Sequence, residues 1–233
     1  MPDLMTGLDA ATLPHPDIPQ RQWLVVEKVL FEAWGLLLNL PPTTLDISLA
    51  TEDEITSELH KAIEDLRYGE RLPGFTAAIF ETTSREGNLC SFDNASIDKQ
   101  PDLVFRLVGK HPGVARPEQH GLFIECKPID TRHPIGSNYC AKGVIRFVSG
   151  EYAWAMTSAM MVGYVRDTQY TIKKLGSALK KDLKKYETLE LPRKCQLPSR
   201  SYRSKHDRVW KYPVLTNNSP GPIVLRHLWL EVS

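Results

Sequence analysis

Two short segments decide the fold: PDLVFRLV at residues 101–108 and GLFIECK at residues 121–127. Each contains a largely apolar run, and short apolar runs bounded by turn residues are typical of buried β-strands. Residues i and i+2 of a strand point to the same face. Glu125 and Lys127 should therefore share one face of the second strand. Asp102, which opens the first run, can approach them from the neighbouring strand.

These side chains predict a site for a hard divalent cation. Two carboxylates and an ammonium group can hold such a cation together with a water molecule beside it. Cys126 lies between Glu125 and Lys127, so its side chain should point to the opposite face of the strand. The simpler alternative is a polar strand edge with a surface Glu–Lys pair, which contributes little stability.

Two helices are expected before these strands. The first covers about residues 19–39 and carries Trp23 and Trp34 on its apolar face. The second begins at Thr51, which forms a capping box with a glutamate three residues later. At 100° per residue, Glu58 lies about 70° from the centre of the apolar stripe of the second helix, and Glu54 about 110°.

The remaining elements complete a mixed α/β fold. Apolar patterns predict strands at about 75–82, 159–165 and 223–230, and helices at about 139–159 and 167–188. The central order is helix, three strands, helix, strand, an αβββαβ core. A further helix precedes this core, and a helix with strands follows it. The segment 109–120, rich in turn residues, is expected to join the two opening strands as a hairpin loop.

Length and charge indicate a single domain with an uneven charge distribution. We expect residues 1–18 to form a flexible arm and residues 19–233 to form one domain, with its core at about 51–165 and a basic C-terminal extension at about 167–233. Residues 138–211 hold 16 Lys and Arg against 6 Asp and Glu, whereas residues 1–137 hold 12 against 21. A basic half can contact phosphates while an acidic patch gathers metal ions.

The composition favours a cytoplasmic protein without a membrane segment. The N-terminal sequence lacks the basic and apolar regions of a secretory signal, and the apolar runs are too short to span a bilayer. The four cysteines show no CxxC spacing, which argues against zinc and for reduced thiols.

Pro101-Asp102 and Glu125-Cys126-Lys127 together resemble the signature of the PD-(D/E)XK nuclease superfamily. At motif level the resemblance covers about residues 51–165. It implies a restriction-endonuclease-like fold, in which a mixed central sheet is flanked by helices. It also implies hydrolysis of phosphodiester bonds, with DNA the preferred substrate and an endonuclease favoured over an exonuclease. A prokaryotic or phage defence context belongs to the same expectation.

The resemblance also assigns roles to the site residues. Asp102, Glu125 and the main-chain carbonyl of Cys126 would hold Mg²⁺, for which Mn²⁺ can substitute. Lys127 would orient or help to deprotonate the attacking water. Members of the family often carry a glutamate that faces the metal site on the helix before the first core strand. Glu58 fits that placement better than Glu54, which already has a capping role, and it would complete a second metal site or hold water molecules around the ion. The alternative is that Glu58 is an ordinary surface residue.

Nucleic-acid contacts are expected from the basic half of the chain. The resemblance places Tyr139 and Arg146 near the substrate, and the basic environment of His206, with Arg208 beside it, suggests phosphate binding. A protein partner could supply specificity, and a homodimer could form through the first helix. Two other functions stay open: a non-catalytic nucleic-acid-binding or assembly module on the same fold, and an RNA-cleaving effector.

Overall fold

The computed structural model describes residues 13–40, 42, 45–85, 89–93, 100–114, 116–167, 169–213 and 219–232. Its helices are α1 (Gln20–Asn39), α2 (Glu52–Tyr68), α3 (Ile145–Val148) and α4 (Ile172–Lys181). A π-helix, Ile135–Val144, runs directly into α3, and a 3₁₀ turn forms at Pro117–Gln119. The strands are β1 (Leu103–Phe105), β2 (Leu122–Ile129), β3 (Ser158–Val165), β4 (Thr188–Lys194), β5 (Tyr202–His206) and β6 (Ile223–Glu231).

The six strands form one open mixed sheet in the order β1-β2-β3-β6-β5-β4. The pair β1–β2 is antiparallel, as expected for a hairpin connection, and β2, β3 and β6 run parallel to one another. Strands β5 and β4 continue the sheet in antiparallel pairing. The mixed α/β class and the mixed sheet flanked by helices are thus confirmed.

Helices cover both faces of the sheet. On one face Trp34 of α1 stacks on Tyr164 of β3 with ring centroids 5.4 Å apart, and Thr56 of α2 hydrogen-bonds the same tyrosine at 2.9 Å. On the other face Tyr139 of the π-helix hydrogen-bonds His227 of β6 at 3.0 Å. Trp23 and Trp34 are buried in this core. They are therefore not available as the dimer contact that the sequence suggested.

The predicted strand at 75–82 is wrong. The structure has one isolated bridge in this segment, Phe80 with Leu107, and another just after it, Ser84 with Val104. The main-chain carbonyl of Thr76 accepts hydrogen bonds from the amides of both Ile79 and Phe80, which turns the chain here. Only a short stretch pairs with a neighbouring segment: the Glu81 amide donates to the Arg106 carbonyl, and the Val108 amide donates to the Ile79 carbonyl. Phe75 and Phe80 still enter the core, whereas Ile79 is exposed, so only the two aromatic side chains of the predicted strand are buried.

The two later helices are shorter than predicted. The helix expected at 139–159 is the π-helix followed by α3, and it ends where Gly150 adopts a φ of 77°, a left-handed conformation that favours glycine. The helix expected at 167–188 is α4, which ends at Lys181. A turn at Glu187, with a φ of 43°, then leads into β4. Neither β4 nor β5 was located from the sequence, because each forms by pairing with another strand of the sheet.

The predicted N-terminal arm is corrected for residues 13–18. Leu13, His15 and Ile18 are buried, and the His15 amide donates a 2.7 Å hydrogen bond to the carbonyl of Ala155. Residues 1–12 of that arm lie outside the described residues. In the described part of the chain, no helix is both long enough and apolar enough to cross a membrane.

Candidate metal centre

The site forms where β1 and β2 begin to separate. Leu103 pairs with Ile124, so Asp102 lies just beyond the last residue pair of the two strands. The Asp102 carboxylate accepts a 2.5 Å hydrogen bond from the main-chain N–H of Cys126. This bond holds the carboxylate beside Glu125, as the motif spacing predicted.

The third carboxylate comes from the first residue of α2. Thr51 and Glu54 form a capping box, in which the Thr51 amide donates to Glu54 Oε2 at 2.7 Å and the Glu54 amide donates to Thr51 Oγ1 at 3.3 Å. This box orients the start of the helix and places Glu52 over the end of β2. Oxygen atoms of Glu52, Asp102 and Glu125 all lie within 4.8 Å of one another. Among the described residues, no other group of this kind occurs.

The Lys127 ammonium group occupies the centre of these acids. Its Nζ atom lies 2.5 Å from Glu52 Oε1, 2.8 Å from Glu125 Oε1 and 3.9 Å from Asp102 Oδ2. It also donates a 2.9 Å hydrogen bond to the main-chain carbonyl of Cys126. The oxygens expected to ligate a metal ion are therefore the same ones that surround this ammonium.

Glu125 is a buried acid without hydrogen bonds. Its side chain has no exposed surface, and Oε1 lies 3.0 Å from Arg146 Nη1 as well as close to Lys127. Both contacts are ion pairs without hydrogen-bond alignment, so neither carboxylate oxygen has a hydrogen-bond partner within the described residues. A buried carboxylate in this state is costly. It fits a cation ligand better than a structural hydrogen-bond acceptor.

Burial and neighbouring charges shift the pKa values of the ionisable groups in the cluster. Desolvation raises the pKa of Glu125 to about 8, with the Asp102 charge adding to the effect, and desolvation raises the pKa of Asp102 to about 6. Burial by itself would lower the pKa of Lys127, but Glu125 and Asp102 outweigh it and raise that pKa. Lys127 therefore keeps its proton at neutral pH and serves as a positive charge rather than a base.

A basic pocket of about 580 Å³ adjoins the acids. Arg166 is fixed at its wall by an ion pair with Asp130 at 3.3 Å and by donation to the Ala50 carbonyl. Lys142 is exposed and makes no ion pair within the described ranges. The basic side chains that line the pocket are Lys127, Arg132, His133, Lys142, Arg146 and Arg166, and Glu52 of the acidic cluster lines it as well. Acidic and basic groups thus lie side by side.

The structure assigns a different glutamate to the cluster than the sequence did. Glu58 lies near the protein surface, where its carboxylate pairs with Lys61 at 2.7 Å, so the prediction that it faces the metal is corrected. Glu58 lies six positions after Glu52, which places the two residues about 9 Å apart along the helix axis. The apolar periodicity of α2 gives no sign of this role for Glu52, because the residue reaches the cluster from the first turn of the helix.

Three of the four predicted nucleic-acid contacts are buried structural residues. Tyr139 is bonded to His227, and His206 lies between Ser204 and the main-chain carbonyl of Tyr186. Arg208 donates to main-chain carbonyls, those of Gly221 and Pro220 among them. None of these three side chains is accessible to a macromolecule. Arg146 is different, because it lies at the acidic cluster and lines the basic pocket.

No protein-family model, no curated protein and no solved structure matches this chain. A function for this protein therefore has to be inferred from the residues of the site and their geometry.

Proposed function

We propose that this protein is a metal-dependent nuclease that hydrolyses phosphodiester bonds of nucleic acid, with DNA as the preferred substrate. The observation that supports it most strongly is the convergence of Glu52, Asp102 and Glu125 within 4.8 Å around the Lys127 ammonium. Carboxylate clusters of this kind bind hard divalent cations. Nucleic-acid hydrolysis is a reaction for which such ions and a nearby lysine are suited.

The proposed metal ligands are carboxylate oxygens of Glu52, Asp102 and Glu125. Neither oxygen of Glu125 accepts a hydrogen bond from the described residues, so the carboxylate has acceptor capacity that a cation can use. All three ligands are hard oxygen donors, which favour Mg²⁺, with Mn²⁺ as a substitute. When bound, such an ion polarises a phosphate and lowers the pKa of a water molecule.

Lys127 and Arg146 provide the positive charge that the reaction requires. Attack on a phosphodiester concentrates negative charge on the non-bridging oxygens, and fixed cations in a site shielded from water stabilise that charge. Both side chains already contact Glu125, so they would lie beside a phosphate that is bound to a cation held by the acids. Because its pKa is raised, Lys127 would orient the attacking water and neutralise charge without accepting a proton.

The basic pocket supplies the substrate-binding surface in this proposal. Lys142 and Arg132 are exposed and can reach a phosphate group, while Arg166 is held rigidly behind them. A backbone phosphate next to the scissile one would find positive charge there. Phosphate contacts position nucleic acid without reading its sequence, which agrees with the expectation that specificity comes from a partner.

We further propose that the fold is a variant of the restriction-endonuclease-like fold. The arrangement of α2, the antiparallel pair β1–β2, the π-helix with α3 and the parallel strand β3 supports this. The first core strand of that fold is reduced here to the two bridges at Phe80 and Ser84.

A cleavage assay with four substrates tests the proposed function. Circular duplex DNA, linear duplex DNA, single-stranded DNA and RNA are incubated with the protein and Mg²⁺, with and without EDTA. We expect cleavage that EDTA abolishes, and nicking of the circular substrate if the enzyme is an endonuclease. Glu125→Gln should lose activity by roughly 10²-fold or more. Absence of metal-dependent cleavage on all four substrates would contradict the proposal.

The position of Lys127 favours a second candidate, a non-catalytic nucleic-acid-binding module. Its ammonium contacts Glu52, Glu125 and the Cys126 carbonyl, so the acids are already partly neutralised without a metal ion. Calorimetric titration with Mg²⁺ separates the two candidates. A heat of Mg²⁺ binding that is present in wild type and absent in Glu125→Gln favours the nuclease. A wild-type protein that binds nucleic acid but neither Mg²⁺ nor Mn²⁺ favours the non-catalytic module.

A further inference from the structure

Three arginines lie in one row across the far half of the sheet. Arg193 of β4 pairs directly with Arg203 of β5, and Arg203 pairs directly with Arg226 of β6. Residues that oppose one another on adjacent strands have Cβ atoms about 5 Å apart and point to the same face. Three like charges are therefore held side by side, an arrangement that destabilises a sheet when nothing compensates it.

The available carboxylates compensate this row only in part. Arg193 pairs with Glu190 at 2.7 Å in an exposed ion pair, which is worth little. Arg226 reaches Glu27 at only 3.4 Å, and that carboxylate also accepts hydrogen bonds from Ser199 and other donors.

Arg203, at the centre of the row, is exposed and has no ion-pair partner within the described part of the chain. The middle charge of the row is thus left uncompensated. The burial of Arg226 lowers the pKa of its guanidinium, although Glu27 opposes that effect.

The row lines a pocket of about 510 Å³ whose charged lining residues are all basic. Lys194 adds a fourth cation to its wall, and none of the described lining residues is acidic. Gln20 and Leu24, from the first two turns of α1, close one side. Helix N-termini favour anions, and the described residues provide no side-chain cap at the N-terminus of α1.

This pocket is separate from the acidic cluster. Glu125 is in register with Met161, and Met161 with His227, so these residues share one face of the sheet. Arg226 is the neighbour of His227 along β6 and therefore points to the opposite face. A ligand bound at the arginine row would not occupy the proposed metal site.

We propose that the row Arg193–Arg203–Arg226 is a second anion site that binds a phosphate group. The planar guanidinium groups match a tetrahedral oxyanion, which accepts paired hydrogen bonds from them. A bound phosphate relieves the repulsion within the row and uses the free donors of Arg203. The described pocket lining contains no aromatic side chain to stack on a base, so the recognised chemistry is the phosphate itself, whether free or in a nucleic-acid backbone.

The test compares Arg203→Gln with a matched control, Lys205→Gln. Both variants remove one positive charge from β5, but Lys205 does not line the pocket. Calorimetric titrations are run in EDTA with inorganic phosphate, and then with an octathymidylate that lacks terminal phosphates. Wild type and Lys205→Gln should bind phosphate alike, and Arg203→Gln should bind at least about tenfold more weakly, the factor that corresponds to about 1.4 kcal/mol. Binding of the octathymidylate with the same dependence on Arg203 identifies a backbone phosphate as the source, and binding of inorganic phosphate alone identifies a free anion.

Thermal unfolding gives a second readout. In phosphate-free buffer Arg203→Gln should melt at least as high as wild type, because it removes a like-charge contact. Phosphate should then raise the Tm of wild type and of Lys205→Gln, but not that of Arg203→Gln. Equal phosphate binding by wild type and Arg203→Gln would overturn the proposal, as would loss of binding in Lys142→Gln instead, which would place the anion in the pocket beside the acids.

Discussion

Asp102 accepts a 2.5 Å hydrogen bond from the main-chain N–H of Cys126. Asp102 comes immediately before β1, which begins at Leu103. Its carboxylate thus provides the hydrogen-bond acceptor for β2 next to the first residue pair of the two strands, Leu103 with Ile124. One side chain thus has two separable functions, a structural hydrogen bond and a negative charge beside Lys127.

Substitutions at Asp102 should separate these functions. Asp102→Asn retains an oxygen that can accept the Cys126 N–H, so we expect a folded protein with near wild-type stability that has lost cleavage. Asp102→Ala leaves that amide unpaired and should also lower the free energy of unfolding by about 1–3 kcal/mol. Urea denaturation measures the change in stability, and cleavage of circular duplex DNA measures the change in activity. Full cleavage activity in Asp102→Asn would show that cleavage does not require the negative charge of Asp102.

Glu52 and Glu58 give opposite predictions although both lie on α2. Glu52→Gln should weaken Mg²⁺ binding and cleavage by roughly 10–100-fold, because it removes charge from the cluster. Glu58→Gln should leave both unchanged, because it breaks only an ion pair with Lys61 near the surface. Metal titration and initial cleavage rates check this. If Glu58→Gln lost Mg²⁺ binding and cleavage while Glu52→Gln kept both, the assignment of Glu58 made from the sequence would be favoured.

Lys127→Met should uncouple metal binding from cleavage. The substitution keeps an apolar stem and removes the ammonium that competes for Glu52 and Glu125. We expect Mg²⁺ to bind more tightly than in wild type, while cleavage falls by roughly 10²-fold or more. The metal-free variant should be less stable by about 3 kcal/mol, because its buried acids lose their partner. Calorimetry and unfolding with and without Mg²⁺ measure these effects, and weaker metal binding would show that Lys127 does not compete with the ion.

The buried histidines predict a loss of stability in acid. Desolvation lowers the pKa of His206 to about 4 and that of His227 to about 3, whereas unfolded histidines titrate near 6.5. Below about pH 6.5 the unfolded chain therefore binds more protons than the folded chain. The free energy of unfolding should fall as the pH drops from about 6.5 towards 4, by about 1.4 kcal/mol per pH unit for each proton.

Comparison with His206→Gln isolates this effect. Glu125 acts with the opposite sign, because its raised pKa makes the folded state bind more protons between about pH 4.5 and 8. The difference between wild type and variant cancels that contribution. Urea denaturation from pH 4.5 to 7.5 measures how the free energy of unfolding depends on pH. Below about pH 6 the slope should be smaller in His206→Gln by up to about one proton, with little difference between the proteins above about pH 7. Equal slopes would mean that His206 does not carry the acid sensitivity.

The sequence predicted those elements whose pattern is local. Helix α1, helix α2 with its capping box, and strands β2, β3 and β6 all lie close to the predicted positions. Strand β4 and the segment at Phe80 were misassigned, because strand formation depends on a partner strand that is distant in the chain.

The candidate site shows the same division. The spacing of Asp102, Glu125 and Lys127 was sufficient to bring these three together, because i and i+2 on one strand and the start of its neighbour must converge. Their chemistry as a possible cation site followed from the residue types alone.

Only the tertiary structure decided the rest of the site. Glu52 enters the cluster because α2 packs with its first turn against the end of β2, and no periodicity within the helix encodes that contact. Tyr139 was expected near the substrate from the family resemblance, and His206 and Arg208 from their basic sequence environment. Packing instead buries all three and satisfies their polar groups internally. Local sequence sets which face a side chain takes, whereas its neighbours depend on how distant elements dock, and docking is a property of the whole core.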